Sequence, residues 1–149
     1  MNREPDTREF QFPPDPGHVR LLRESARDAA QKMGIPQTAD MLALVLDELA
    51  NNAIEHGSAY RTGTQDLRVR VARAPNGLWV DFEDPEMPLQ TVQELAAALS
   101  DAEENGLPAI ESERGRGLYL IAIHFEEMEI TSGPTGGFLL RGLLSVTAA

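Results

Sequence analysis

Asp47-Glu48-Leu49-Ala50-Asn51-Asn52-Ala53-Ile54-Glu55-His56-Gly57 is the stretch that decides the fold. It closes a helix whose apolar residues Leu42, Val45, Leu46, Leu49, Ala53 and Ile54 recur at helical spacing as a buried stripe. Thr38 is the expected N-cap, Asp40 complements the first-turn dipole, and Gly57 ends the helix. Glu48 and Asn52, four apart, project together from the polar side. A carboxylate there can accept a proton, and an amide oxygen can ligate a hard cation such as Mg²⁺. A solvated polar stripe is the plainer reading of the same pair, and Asp47, Asn51 and Glu55 read as surface.

Before this helix, Arg8 to Phe12 reads as a short strand, and a helix runs from Pro16 to Met33 with Gly34 and Ile35-Pro36 as its stop. After it, Leu67, Val69 and Val71 alternate with Arg68 and Arg70, and Pro75-Asn76-Gly77 turns the chain. Leu78, Val80 and Phe82 then alternate with Trp79, Asp81 and Glu83 to complete a hairpin. A short helix is expected from Thr91 to Leu99, an exposed loop over 101–114, and a helix from Gly117 to Phe125. Met128 and Ile130 mark a strand, Ser132 to Gly137 a turn, and Phe138 to Val146 the last strand. The order βααββααββ predicts an α/β (α+β) two-layer sandwich: a mixed, mostly antiparallel sheet with helices on one face. The 149 residues make one domain, with residues 1–9 as a flexible N-terminus.

Composition removes several functions. Cysteine is absent, which excludes disulfides, thiolate metal sites and cysteine catalysis. Of 13 basic residues only Lys32 is a lysine, and it sits in Ala30-Gln31-Lys32-Met33-Gly34. That context is neither a Walker A loop nor the lysine strand of a eukaryotic-type kinase. A formal net charge of −11 argues against direct nucleic-acid binding. The longest apolar runs, Met41 to Leu46 and Leu118 to Ile123, have six residues each, far short of the roughly 20 that span a bilayer. With no apolar signal core near Met1, a cytoplasmic protein without a membrane partner is expected.

Two further segments could carry chemistry. In Glu113-Arg114-Gly115-Arg116-Gly117-Leu118, the glycines let backbone N–H groups approach an anion at a helix start, with Arg114 and Arg116 adding positive charge. A lid hinge that caps a helix is the alternative. Asp84, at a strand end before Pro85, can accept from an exocyclic amine or simply initiate a turn. His18, His56 and His124 form no metal-binding pattern, and His56 fits a helix-end role at least as well as catalysis.

Taken in order, these segments resemble the GHKL-type ATPases, and specifically the anti-sigma factor serine/threonine-protein kinases of bacterial partner-switching systems (RsbW type). Residues 47–57 look like the family's Glu-x-x-x-Asn-Ala-x-x-His-Gly box. Val80 to Pro88 stands where the adenine-binding aspartate box belongs, and Gly115-Arg116-Gly117-Leu118-Tyr119-Leu120-Ile121 is similar to the glycine box after the ATP lid. The Ser132 to Gly137 hairpin also fits, so the likeness runs from about Phe10 to Leu144.

The resemblance implies Glu48 as general base toward a protein serine, Asn52 as Mg²⁺ ligand and Asp84 as acceptor from the adenine amine. It implies Gly115, Gly117 and the Leu118 segment as a phosphate cradle, Arg114 or Arg116 toward the γ-phosphate, and residues 101–114 as the ATP lid. ATP and Mg²⁺ follow as ligands, with a sigma factor and a small anti-sigma factor antagonist as partners of a homodimer. The family's aspartate box usually carries glycines after the aspartate, where this chain has Glu86 and Pro88. Those two residues motivate the alternative of a non-catalytic regulator of the same fold that only sequesters a partner.

Overall fold

The computed structural model describes residues 6–63, 65–105, 113–133 and 136–145, with residues 105 and 113–116 described by their backbone alone. Among these residues five strands form one sheet: β1 (Thr7–Phe12), β2 (Leu67–Ala74), β3 (Gly77–Asp84), β4 (Glu127–Ser132) and β5 (Phe138–Ser145). Their spatial order is β1-β2-β3-β5-β4, and every neighbouring pair is antiparallel. The expected mostly antiparallel sheet is thus found, and among the described strands every pairing is antiparallel. Four helices, α1 (Pro16–Lys32), α2 (Ala39–His56), α3 (Leu89–Asn105) and α4 (Glu113–Ala122), complete a two-layer α+β sandwich.

Period-two alternation sets the layers. Leu67, Val69 and Val71 of β2, Leu78, Val80 and Phe82 of β3, and Leu140 and Leu144 of β5 are all buried in the core. They join Leu42, Val45, Leu46 and Leu49 of α2 and Leu118 and Ile121 of α4. Each such large side chain contributes about 1.5–3 kcal/mol relative to exposure. The other face of the sheet carries Arg70, Trp79, Asp81 and Arg141, and Arg141 donates to both Asp81 oxygens at 2.8 and 3.0 Å.

Local chemistry fixes the helix ends. Asp15 caps α1 by accepting from the Gly17 N–H at 2.7 Å, and Pro16 occupies the first turn. Gly34, at φ 80°, reverses the chain, and Arg73 donates to the Met33 carbonyl left over at the helix end, at 2.8 Å. Thr38 does not cap α2 with its side chain. Its hydroxyl donates instead to the Ile35 carbonyl at 2.8 Å, because the chain enters α2 through a 3-10 turn over Pro36–Thr38.

Three boundaries differ from expectation. Strand β1 begins at Thr7, one residue before the expected Arg8 and within the 1–9 segment. Helix α3 extends from Leu89 to Asn105 rather than stopping at Leu99. Its Ala- and Glu-rich second half propagates helix well, and Ala102 is buried. Helix α4 begins at Glu113, so residues expected at the end of a loop are helical, and it ends at Ala122. A turn follows, in which the Phe125 N–H donates to the Ala122 carbonyl at 3.0 Å. Of the expected 101–114 loop, residues 106–112 lie outside the described ones. Among the described residues no helix is long and apolar enough to cross a membrane.

Candidate nucleotide site

The polar side of α2 faces a cleft. Glu48, Asn52 and His56 line it from α2, together with Asn51 and Glu55, which were expected to be plain surface, and Gly117, Leu120 and Ile121 line it from α4, around an open volume of about 330 Å³. Glu48 is exposed and Asn52 half-buried. Asn52 lies where α2 and α4 meet: a Cβ at Gly117 would sit 3.0 Å from its Nδ2. Two segments more than 60 residues apart in sequence thus share one wall.

Asn52 also borders a deeper and much smaller cavity, walled by Leu49, Phe82, Met87, Leu118 and Asp84, with a volume of about 10 Å³. Asp84 ends β3 and is fully buried, one of two buried polar side chains in the described core, the other being Thr38. A buried carboxylate requires partners, and this one has four donors. Arg61 donates through Nη1 to Oδ1 at 2.6 Å and through Nη2 to Oδ2 at 2.9 Å. Tyr60 Oη donates to Oδ2 at 2.8 Å, and the Glu86 N–H to Oδ1 at 3.3 Å.

Arg61 is held from several directions. Its Nη2 also donates to the Ala53 carbonyl at 3.0 Å, near the end of α2, and its Nη1 lies 3.4 Å from Glu86 Oε2. Thr62 in turn donates its hydroxyl to Glu86. Burial opposes the guanidinium charge. The hydrogen bond and attraction of Asp84, with smaller attractions from Tyr60 and Glu86, outweigh it and raise the Arg61 pKa above its ordinary value. Gly57 makes the arrangement possible, since a Cβ there would stand 2.3 Å from both Arg61 Nη2 and the Ala53 carbonyl oxygen. Its φ of −86° demands no glycine, so the reason for glycine is space.

Part of the expected site set lies together. Glu48, Asn52 and Gly117 share the open cleft, while Asn52, Leu118 and Asp84 share the cavity beside it. Asp84 both accepts from side chains and forms the turn, through the Glu86 N–H. Gly115 lies within the first turns of α4 rather than in a loop before it, as do the backbones of Arg114 and Arg116, whose side chains lie outside the described ones. Sequence reasoning missed Tyr60 and Arg61. Their one trace in the sequence is an aromatic-basic pair three residues after Gly57. Among the described residues no three His, Asp or Glu side chains gather as a metal site, and Asn52 presents a side-chain amide at the cleft.

The model of the histidine kinase-like ATPase domain family matches residues 12–140 of the chain. No curated protein matches it.

Proposed function

The chain belongs to the histidine kinase-like ATPase domain family, and from that premise we propose that it is an ATP-dependent serine protein kinase that also acts as an anti-sigma factor. The observation that carries this reading is the shared cleft: Glu48, Asn52 and Gly117 stand around one opening that adjoins the Asp84 cavity through Asn52. ATP, when bound, would supply the γ-phosphoryl group: its bond to the bridging oxygen breaks as the serine oxygen bonds to phosphorus, and ADP leaves. Glu48, exposed at the cleft, accepts the proton of the acceptor serine, and Asn52 supplies an amide oxygen for Mg²⁺. Positioning and charge neutralisation do most of the work in phosphoryl transfer, so Lys32 standing outside any Walker A or kinase-strand context is no obstacle.

A protein acceptor suits the rim. Leu44, one helical turn before Glu48, is 43% exposed, and Leu120, in the cleft wall, is 49% exposed. Apolar groups beside a catalytic carboxylate favour a docked polypeptide over water alone. The net charge of −11 favours a basic partner such as a DNA-binding sigma factor. A small antagonist carrying the acceptor serine and a homodimeric state complete the proposal.

Incubation with Mg-ATP and candidate antagonists should label one serine, and Glu48→Ala should abolish transfer while leaving nucleotide binding. Transfer retained in Glu48→Ala would remove Glu48 from the mechanism. One observation favours a second reading, sequestration of a partner without ATP chemistry: Asp84 already has four donors and its cavity is nearly closed. Calorimetric titration with Mg-ATP separates the two, because sequestration alone predicts no binding heat at millimolar nucleotide.

A further inference from the structure

Asp84 is the only carboxylate among the described residues that is buried completely, and its hydrogen-bonding capacity is filled from within the chain. An ionised carboxylate offers about four lone-pair positions. Arg61 Nη1 and the Glu86 N–H take those of Oδ1, and Arg61 Nη2 and Tyr60 Oη take those of Oδ2. A base amine can bond Asp84 only by displacing one of these. The adjoining cavity, about 10 Å³, has room for about one water and not for a heterocycle.

We propose that Arg61 is the gate of the base pocket: it holds Asp84 in the nucleotide-free protein and swings out when a purine nucleotide enters, with Glu86 as its second anchor. The inference rests on the nucleotide-binding reading given above. The mobile partner is identifiable. Asp84 sits on a sheet strand with no exposure, whereas the Arg61 side chain is 12% exposed on the connection between α2 and β2. Asp84 cannot be left bare, because an unpaired buried charge is strongly unfavourable. Entry of the base is therefore an exchange of donors at one carboxylate.

Glu86 and Gly57 acquire a shared purpose in this scheme. Glu86 stands where the resembling family usually has glycine, and its carboxylate holds the outer side of the same guanidinium, 3.4 Å from Nη1. Gly57 leaves the space through which Nη2 reaches the Ala53 carbonyl. Apparent affinity is the intrinsic affinity multiplied by the fraction of molecules whose gate is open. Arg61→Ala should thus tighten nucleotide binding about tenfold or more, and Glu86→Gln by a smaller factor of about threefold.

The experiment is a fluorescence anisotropy titration of mant-labelled ADP with Mg²⁺ into the whole chain, comparing wild type, Arg61→Ala, Glu86→Gln and Asp84→Asn, each checked for folding by circular dichroism. Tighter binding in Arg61→Ala, a smaller gain in Glu86→Gln and loss in Asp84→Asn support the gate. Unchanged or weaker binding in Arg61→Ala, with wild type still binding, overturns the gate and leaves the nucleotide reading intact. If Arg61→Ala does not fold, Glu86→Gln decides: wild-type affinity there overturns the proposal. Absence of binding in wild type and every folded variant overturns the nucleotide reading and the gate with it.

Discussion

The side-chain amide of Asn52 on α2 rests against Gly117 on α4, close enough that a Cβ at position 117 would lie 3.0 Å from Nδ2. Gly117 is inside a helix and is not among the glycines of positive φ, so backbone conformation does not require glycine there. Alanine would favour the helix by up to about 1 kcal/mol. Gly117→Ala should therefore leave the thermal midpoint unchanged or higher, while the displaced Asn52 weakens Mg-ATP binding several-fold. Differential scanning fluorimetry beside a nucleotide titration checks both halves. A fall in stability with unchanged affinity would show that this contact serves packing alone.

Glu48 is exposed and α2 does not rely on it for packing. Glu48→Gln should change stability by no more than about 0.5 kcal/mol. It should slow phosphoryl transfer to protein by a factor of about 10²–10⁴, the usual contribution of a general base. Single-turnover transfer with saturating Mg-ATP measures this, and a rate within threefold of wild type would assign Glu48 no part in proton removal.

Two forked Arg–Asp pairs in one fold should differ greatly in weight. Arg141 and Asp81 meet on the open face of the sheet, where the Arg141 side chain is 49% exposed, and Arg141→Ala should cost less than about 1 kcal/mol. Arg61 and Asp84 meet where the carboxylate has no exposure, and Arg61→Ala should cost about 3–5 kcal/mol without ligand. Urea midpoints of the two variants give the comparison, and equal losses would contradict it.

Gly142 lies in β5 beneath Phe125, where an added Cβ would come within 2.4 Å of the ring. The ring is nearly buried and has little room to retreat. Gly142→Ala should destabilise the protein by about 1–3 kcal/mol through overpacking. The double variant Gly142→Ala, Phe125→Leu should recover part of the loss. No recovery would place the strain in the strand rather than at the ring.

What the sequence made legible follows from periodicity. The alternation in Leu67 to Val71 and Leu78 to Phe82, and the helical stripe from Leu42 to Ala53, each bury one face and leave little choice of register. Glu48, Asn52, Asp84 and Gly117 were readable as candidates because each stands at an informative place on such an element. The extent of α3 was harder, since the acidic residues Asp101, Glu103 and Glu104 suit a helix surface and a loop alike, and the Asn105-Gly106 and Pro108 signals just beyond them favour a loop. Arg61 was hidden for a different reason. It belongs to a connection without periodicity, its partner lies 23 residues on, and their meeting depends on space left by Gly57. Contacts set by three-dimensional vacancy leave little imprint on a linear pattern.

Strand β4 is the last rung of the described sheet and pairs on one side only, with β5. Its outward residues include Glu127 and Glu129, both exposed. A second molecule that tried to extend the ladder there would lay its own β4 carboxylates beside these, like charge against like, or draw them out of water. The β4 border of the sheet is thus a poor template for fibrillar growth. The acid excess first met as a whole-chain total acts, at this one strand, against open-ended addition of further strands.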